Sequence, residues 1–569
     1  MKRVLSYLRP QTGRTVLQIF IKFFATLLEL FLPWILEHII DVVAPTGNRV
    51  HLVLWGALMI VCAVAAFSGA VIANRMAAKI AAVFTRVLRK DLFSKVLSLS
   101  SPEVDGFTVP SLISRVSTDT YHVNDMVDRM LRLGIRAPIL LLGGLLVTTM
   151  MEPVLTLILV ALLPPLGFLL ILISRRSIPL YAKVQQASEN LVRRIQENMT
   201  GVRIIKALSK TDYERARFAE TNRDVVRAER KAERTMALAN PMMTVFLYIG
   251  MALVIVLGAF RVDAGVTEAG KIIAFLNYFT ILLNGMIGIT RIFTICSKGA
   301  ASGKRIEEVL RMPPHDRPSV LSEPQTDAHI VFSDVSFSYN RIRRNVSHVS
   351  FALRRGQTLG IIGATGSGKS TILQLLLRFY SPDSGTILLD GRPLSDFSEA
   401  ELHRRFGVVF QNDFLFADSI RQNIDFERPV SDEDRALAAS VAQVDFLSEL
   451  PENDKTTLAE RGMNLSGGQR QRLLIARALA VRPEILLLDD CSSALDYRTD
   501  AALRKALRKH FSDTTTIIVA QRISSILWAD HILVLDDGSV VDSGTHAELM
   551  QSCETYREIY RSQMGEQAA

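Results

Sequence analysis

The chain is poor in cysteine, and the few thiols it has are scattered. Its 569 residues include four cysteines, and no two of them have the spacing of a metal site or a redox pair: Cys62, Cys296, Cys491 and Cys553. A disulfide framework is therefore not expected, and isolated thiols suit a reducing cytosol and a membrane interior. The chain also lacks a small-residue cleavage site after its first apolar run, which is too long for a signal peptide.

Acidic residues are fewer than basic ones, 57 against 66, which gives a net charge of +9. No nucleic-acid reading motif accompanies this charge, so nucleic acid is not an expected partner. Positive charge on the cytoplasmic side of a membrane protein is the ordinary explanation.

Long hydrophobic runs are abundant, and they are concentrated in the first 300 residues of a chain whose mean hydropathy is +0.23. Six stretches are long and apolar enough to cross a bilayer: residues 16–40, 52–72, 133–151, 154–173, 241–260 and 272–296. The sequence predicts a six-span α-helical membrane domain over residues 1–310.

Basic residues flank alternate ends of these spans. They are dense in residues 2–14, 79–132 and 175–234, whereas the loops at 41–51, 152–153 and 261–271 carry little net charge. The positive-inside tendency then predicts that both termini are cytoplasmic. We expect a multi-pass protein of the plasma membrane, specifically a bacterial inner membrane.

Two connections of about 60 residues, between spans two and three and between spans four and five, are rich in helix-forming residues and charge. They are predicted to be helices that extend into the cytoplasm and fold back, with interruptions near residues 101–110 and 209–212. Coupling to a soluble domain is predicted at residues 111–119 and 212–218. A proline-rich linker is predicted at residues 311–328.

The second half alternates apolar strands, at 359–362, 485–489 and 516–520, with helices. This pattern predicts an α/β domain with a parallel sheet over residues 329–569. The first strand runs into GATGSGKS at 363–370, a glycine-rich phosphate-binding loop that opens a helix. The residues predicted to hold nucleotide phosphates are Gly363, Thr365, Gly366, Ser367, Gly368, Lys369, Ser370 and Thr371.

A second motif, LSGGQ at 465–469, precedes a basic helix and the strand that ends in Asp489. Together with Tyr339, Gln411 in VVFQND, Glu460 and SALD at 493–496, it resembles the signature of ATP-binding-cassette proteins. The whole chain, six spans included, is similar to a half-transporter of the ABC exporter type.

The resemblance implies a role for each of these residues. Tyr339 would stack on adenine. The Mg²⁺ ion of ATP would be held by Ser370, Gln411 and Asp489. Residues of the signature and of the following loop would contact the nucleotide bound by a partner chain, namely Ser466, Gly467, Gly468, Gln469 and Asp496. Asp496 also fits a helix N-cap.

Two residues depart from the family pattern. Asp490 stands where the family has the Glu that positions the attacking water, and Gln521 stands where it has a His. A carboxylate withdrawn by one methylene, about 1 Å, can lower a rate about a hundredfold. Glutamine still donates a hydrogen bond and orients water in some GTPases, so turnover need not vanish.

These departures favour one subunit of a heterodimeric exporter. Its own ATP site would be slow, and its signature would complete a hydrolytic site on a different half-transporter that has Glu and His. The alternatives are neutral drift in a homodimeric exporter of lipid, peptide or siderophore, and a nucleotide-gated channel or regulator.

Polar residues inside the predicted spans suggest a cavity for a small-molecule substrate. Glu29 lies near the centre of the first span, seven residues after Lys22 and on about the same face. Asn277, Asn284 and Arg291 recur every seven residues in the last span, where interhelical hydrogen bonding is the alternative role. A carboxylate at Glu29 favours amphipathic cations and hence multidrug export. Membrane lipid is the other expected partner.

Overall fold

A computed structural model describes residues 1–313 and 328–564 of the chain. It divides the chain into two compact units, one of Met1–Leu97 with Pro110–Met312, the other of Ser98–Val109 with Pro313–Ala569. The predicted linker at 311–328 lies almost wholly outside the described residues.

The first 312 residues are helical. The helices are α1 (Lys2–Ser6), α2 (Thr12–His38), α3 (Arg49–Leu97), α4 (Ser101–Phe107), α5 (Val109–Ser114), α6 (Thr120–Arg129), α7 (Ile135–Met151), α8 (Pro153–Thr200), α9 (Val202–Ala207), α10 (Thr211–Met236), α11 (Ala239–Asp263) and α12 (Ala269–Leu310). Short π-helical turns occupy Ile39–Val43, Arg115–Asp119 and Met130–Gly134.

Six helical stretches among the described residues are long and apolar enough to cross a membrane, which confirms the prediction of six spans. Helices α3 and α8 run for 49 and 48 residues, well beyond a bilayer thickness. The predicted breaks follow them, because α4 and α9 are short separate helices.

Helix α4 belongs to the second unit and not to the first. It starts with a capping box in which Ser100 and Glu103 satisfy each other's backbone amides. The segment that groups with the second unit is thus Ser98–Val109, upstream of the predicted coupling residues 111–119, which lie in the first unit.

The second unit is an α/β fold. In the described part of the chain its strands are β1 (Ile330–Phe337), β2 (Val346–Leu353), β3 (Thr358–Gly363), β4 (Ser384–Leu389), β5 (Arg392–Pro393), β6 (Phe406–Val409), β7 (Ile485–Asp489), β8 (Thr515–Val519), β9 (His531–Asp536) and β10 (Ser539–Gly544). Its later helices are α13 (Lys369–Leu376), α14 (Glu399–Arg404), α15 (Ile420–Asp425), α16 (Asp432–Val441), α17 (Gly467–Leu479), α18 (Tyr497–His510), α19 (His546–Ser552) and α20 (Glu554–Met564).

The strands form two sheets. A small antiparallel sheet has the order β2-β1-β4-β5, and a larger sheet has the order β10-β9-β3-β8-β7-β6, parallel except at β10. Successive residues of β7 point to opposite faces, so Ile485 and Leu487 join one apolar core while Leu486 and Leu488 join the other. Burial on both faces explains why this strand reads as a continuous apolar run.

Candidate nucleotide site

The site lies at the carboxyl ends of four neighbouring parallel strands, β3, β8, β7 and β6. This edge of an open α/β sheet is where ligands usually bind. A cavity of about 210 Å³ opens there, lined by Asn345, Thr365, Gly366, Gly368, Lys369, Ser370, Thr371, Gln411, Asp489, Asp490, Val519 and Gln521. The topology therefore gathers most of the predicted phosphate, metal and catalytic residues into one site.

The phosphate loop connects β3 to α13. Gly366 and Gly368 have φ values of +86° and +91°, which residues with a side chain rarely adopt. A Cβ on Gly368 would lie 2.3 Å from the carbonyl oxygen of Asn345, so glycine is required there on steric grounds as well. The loop and the start of α13 offer backbone amides to an anion.

Lys369 lies at the mouth of this loop. Its Nζ donates hydrogen bonds to the carbonyl oxygens of Gly363 at 3.0 Å and Ala364 at 2.7 Å. Burial lowers the pKa of Lys369, although Asp489 and Asp490 oppose this shift. A buried ammonium beside a glycine-rich loop is suited to bind phosphate oxygens.

Asp489 ends β7 and is only 6% exposed. The Ser370 hydroxyl donates to its Oδ1 at 3.1 Å. Two of the predicted metal ligands, one on α13 and one on β7, are therefore hydrogen-bonded to each other. Burial raises the pKa of Asp489, and Asp490 adds to the shift while the Ser370 hydrogen bond and Lys369 oppose it. The hydroxyl and carboxylate, with the Gln411 amide in the same cavity, are the oxygen donors that Mg²⁺ prefers.

Asp490 has an unusual backbone for a residue with a side chain, with φ at +51°. Burial raises its pKa, opposed by a hydrogen bond from the backbone N–H of Gln521, the charges of Lys369 and Arg522, and a hydrogen bond from the Gln411 side chain. Asp490, Gln411 and Gln521, the three predicted catalytic residues, line the same cavity.

Gln563, which the sequence analysis did not predict, hydrogen-bonds to the backbone of Gln521. The side chain of Gln563, on α20, donates to the Gln521 carbonyl at 2.7 Å and accepts from the Ile523 N–H at 2.7 Å. These two hydrogen bonds connect α20 to the backbone of Gln521 and Ile523, in the segment that follows β8. No local motif indicates this contact, because the partners are 40 and 42 residues apart.

Tyr339 lies in an aromatic cluster beside α13. Its hydroxyl donates to Gln374 at 2.6 Å, and its half-exposed ring stacks edge-on against Tyr380 at 4.9 Å. Tyr380 in turn donates to Asp105 of α4 at 2.5 Å, a contact within the second unit. Burial and the Asp105 hydrogen bond raise the pKa of Tyr380. The exposed ring face of Tyr339 leaves a surface for an aromatic base.

The signature residues stand at the start of α17, outside the cavity. Ser466 is the N-cap, and Gln469 completes a capping box by accepting from the Ser466 N–H at 2.9 Å. A Cβ on Gly467 would meet nothing within 4 Å, so the helix start faces open space. A Cβ on Gly468 would lie 3.3 Å from the Ala494 carbonyl oxygen, so there is less space at this position.

Asp496 is also outside the cavity and caps α18. Its carboxylate accepts from the N–H and the hydroxyl of Thr499, both at 2.9 Å. These hydrogen bonds lower its pKa. The helix-cap role anticipated for Asp496 is confirmed.

The predicted substrate residues whose side chains the structure describes lie on two helices, Glu29 on α2 and Asn277 and Asn284 on α12. Arg136 pairs with Glu29 through two hydrogen bonds of 2.5 and 3.2 Å, so the charge on which a preference for cations rested is balanced within the chain. Asn277 is exposed and donates to the Ile273 carbonyl of its own helix, and Asn284 is exposed. The side chain of Arg291 lies outside the described part of the structure.

Comparisons with known proteins agree with this architecture. Residues 15–286 match the model of the ABC transporter transmembrane region, and residues 346–493 match that of the ABC transporter nucleotide-binding region, described simply as ABC transporter. The uncharacterised ABC transporter ATP-binding protein YfiB of Bacillus subtilis is 33% identical, over the full length of both chains. An ATP-dependent lipid A-core flippase of Pseudomonas syringae is 31% identical, over all of this chain and 96% of its own.

A solved structure of a bacterial Atm1-family ABC exporter with ATP bound shares 26% of the sequence. It superimposes with a TM-score of 0.83 over 99% of each chain. The six apolar helices, the phosphate loop and the signature now have one explanation. The chain belongs to the ABC transporter family, as a multi-pass exporter half-transporter that couples ATP hydrolysis to transport.

Proposed function

We propose that this chain is one subunit of a heterodimeric exporter in which the two ATP sites differ. The single observation that carries the proposal is the pair of substitutions at the site, Asp490 and Gln521, beside a signature that keeps its full sequence. The chain's own phosphate loop binds ATP and turns it over slowly. Its signature completes the faster site on a partner that has Glu and His at these positions.

The contacts of Asp490 support slow turnover. Its side chain is shorter than that of Glu by about 1 Å, and it lines the cavity with Gln411 and Gln521. A carboxylate withdrawn by this distance has less capacity to hold and polarise a water molecule at the phosphate. Gln521 is itself uncharged and supplies no ionised imidazole to the γ-phosphate.

The metal ligands are all present. Ser370, Gln411 and Asp489 would hold the Mg²⁺ of ATP, which supplies charge neutralisation between the phosphates when bound. Lys369 and the loop amides would hold the phosphates, so a complete binding site is combined with an altered catalytic position. ATP binding, more than hydrolysis at this site, would then shift the pair between its inward and outward states.

The membrane unit of the pair would export hydrophobic or amphipathic compounds from the cytoplasm. The basic segments at 2–14, 79–132 and 175–234 support cytoplasmic termini and a plasma membrane location, with the bacterial inner membrane as the proposed site.

The test is purification of the tagged chain from its native membrane, followed by mass spectrometry of the proteins that remain bound to it. We expect an equimolar second half-transporter with Glu and His at the catalytic positions. The purified chain alone should retain labelled ATP through rapid gel filtration and hydrolyse it slowly.

A chain that purifies only with copies of itself, and that hydrolyses ATP as fast as exporters with the catalytic Glu, would overturn the heterodimer. The variant Asp490→Asn separates the cases further. It should change little in the turnover of the heterodimer, but it should abolish turnover in a homodimer that depends on Asp490.

The second candidate is a homodimeric exporter that moves lipid. Its specific support is the full-length similarity to the lipid A-core flippase of Pseudomonas syringae. The same purification distinguishes the two, and ATP-dependent movement of labelled lipid between the leaflets of proteoliposomes containing this chain alone would favour the second.

A further inference from the structure

The membrane-spanning unit contains a polar cavity that shares no lining residue with the nucleotide site. It has a volume of about 280 Å³ and is lined by Lys22, Asn74, Asp128, Arg129, Arg132, Leu133 and Arg136. Four of these seven residues are cationic and one is acidic. The lining comes from α2, α3, α6, the π-helical turn Met130–Gly134 and α7.

The arginines of this cavity are balanced by carboxylates. The pairs are Arg129 with Asp125 at 3.0 Å, Arg132 with Asp128 at 2.8 Å, and Arg136 with Glu29 at 2.5 Å. Each guanidinium has five N–H donors, and one carboxylate uses only part of them. The three pairs cancel in charge but leave donors available at the cavity wall.

Lys22 is different, because it forms no ion pair among the described residues. Its side chain is only 4% exposed, and its Nζ donates to the amide oxygen of Asn74 at 3.2 Å. An ammonium has three N–H donors and a full positive charge. The amide oxygen of Asn74 accepts from one donor and carries no charge that would balance the ammonium. A buried cation without a counter-charge is costly, so the space beside Lys22 is suited to an anion.

We propose that this cavity binds the anionic head of an amphipathic molecule, a phosphate or carboxylate group, at Lys22. Lys22 supplies the uncompensated charge, and the unused N–H groups of Arg132 and Arg136 supply directed hydrogen bonds. The role of this site in binding a transported or regulatory molecule rests on the export function proposed above.

The local backbone supports a binding role. Arg132 and Leu133 lie in the π-helical turn Met130–Gly134, and Arg136 is the second residue of α7, which follows the turn directly. Single π turns inside long helices occur frequently at functional sites. A cavity of this size can hold a phosphate or carboxylate with several water molecules.

The depth of the cavity suits an amphiphile. Lys22 is ten residues from the first residue of α2, Thr12, or about 15 Å along the helix axis. Beyond it α2 is mostly apolar apart from Glu29 and Glu37, and it exposes Phe23, Phe24 and Phe31. A head group at Lys22 would leave its tail beside this aromatic surface.

The experiment uses the full chain in a non-ionic detergent, with dodecyl phosphate as the anionic probe and dodecyltrimethylammonium as its cationic match. Native mass spectrometry counts the molecules retained by each protein over a concentration series. We expect one dodecyl phosphate per chain to be retained at least tenfold more tightly than the cation.

Three variants test the residue. Lys22→Met should weaken dodecyl phosphate retention about tenfold or more, since it removes the one cation of the cavity lining that has no ion pair among the described residues. Lys22→Arg should keep most of the affinity. Lys79→Met, an exposed lysine on α3 outside the cavity, should match the wild type.

Equal retention of the two probes by the wild type, or equal retention of dodecyl phosphate by wild type and Lys22→Met, overturns the proposal. ATP binding is measured on the same preparations, so a misfolded variant is recognised, and Lys22→Arg then carries the comparison. Loss of anion retention with normal ATP binding places the defect in the cavity and not in the nucleotide site, so failure of this proposal and failure of the proposed function are distinguishable.

A competition arm identifies the source of the anion. If phosphatidate displaces dodecyl phosphate in a manner that depends on Lys22, the site binds a lipid head group. If phosphatidate does not displace it, the site binds a smaller amphiphile of the cell. Both results support an anion site at Lys22.

Discussion

At the scale of single residues, the proposed difference between this ATP site and a fully hydrolytic one amounts to one methylene group at Asp490 and one ring at Gln521. The consequence depends on position, because Asp490 lines the same cavity as Gln411 and Gln521, with a side chain one methylene shorter than that of Glu. Binding groups such as Lys369 and Ser370 are unaffected by this change. Binding and hydrolysis can therefore be separated by substitution.

Restoring the family residues should raise turnover. We expect Asp490→Glu together with Gln521→His to increase ATP hydrolysis by the purified chain about a hundredfold, since the carboxylate would reach the attacking water. The single variants should give less, because both residues act on the same reacting group. Steady-state phosphate release measures the effect.

The control for this gain is Lys369→Met in the restored chain, which removes the phosphate-binding ammonium and should remove the added turnover. A restored chain that is no faster than wild type would show that something other than these two residues limits hydrolysis.

Two aspartates of the same unit should respond to pH with opposite signs. Burial raises the pKa of Asp490, so above that pKa its ionised form costs the folded state stability. Hydrogen bonds from Thr499 lower the pKa of Asp496, so its ionised form stabilises the fold above the unfolded pKa near 3.8.

We therefore expect Asp490→Asn to raise the unfolding temperature at neutral pH, with the gain lost as pH falls through the raised pKa. Asp496→Asn should lower the unfolding temperature at neutral pH, and its effect should fade only as pH falls below about 3.8. Thermal unfolding in detergent from about pH 2.5 to pH 8 measures both. Parallel pH profiles for the two variants would contradict the assignment.

At the scale of secondary-structure elements, the sequence predicted most of the nucleotide site. The continuous apolar runs of β3, β7 and β8 indicated a parallel sheet, and the motifs at their carboxyl ends necessarily met at one edge. The six spans followed from length and apolarity alone.

Contacts between distant elements were not predictable. Nothing near Glu29 in sequence indicates Arg136, 107 residues away, so its charge could not be seen to be balanced. Asp105 and Tyr380 are 275 residues apart, so their hydrogen bond could not be predicted either. Such pairs depend on packing, which leaves no periodic signal in either segment.

The hydrogen bonds from Gln563 of α20 to the segment after β8 can be tested. Gln563→Ala removes two hydrogen bonds, each worth about 1 kcal/mol, that fix Gln521 and Ile523. We expect lower nucleotide turnover and faster proteolysis of that segment, with ATP affinity little changed. Limited proteolysis and phosphate release measure these effects.

Gln563→Glu separates the two hydrogen bonds, since it keeps the acceptor for the Ile523 N–H and loses the donor to the Gln521 carbonyl. An intermediate effect is expected. Ser562→Ala, an exposed neighbour on the same helix, is the matched control. If Gln563→Ala behaved like Ser562→Ala, α20 would have no part in positioning Gln521.

At the scale of the whole molecule, each half contains a site that the other does not explain. The second unit binds nucleotide at the strand edge and presents its signature to open space. The first unit has a buried lysine beside a polar cavity. In an exporter, ATP drives the change in access and the membrane unit selects the cargo, so variants of Lys22 and of Lys369 should fail in different assays.

The proposed division of labour predicts unequal effects of two variants within the assembled pair. Gly467→Ala adds a Cβ that meets nothing within 4 Å of this chain, at the start of α17, where alanine is well tolerated. Any effect must come from a group outside the chain, and the expected one is the nucleotide on the partner. Lys369→Met instead disables the chain's own site.

We expect Gly467→Ala to reduce ATP hydrolysis by the pair at least tenfold while this chain still binds ATP, because the hydrolytic site uses this signature. Lys369→Met should leave a substantial part of the hydrolysis. In a homodimer both variants alter both sites, and both should abolish turnover. Phosphate release and labelled ATP retention by the two purified variants thus decide whether Asp490 marks a retaining site or only a slower catalyst.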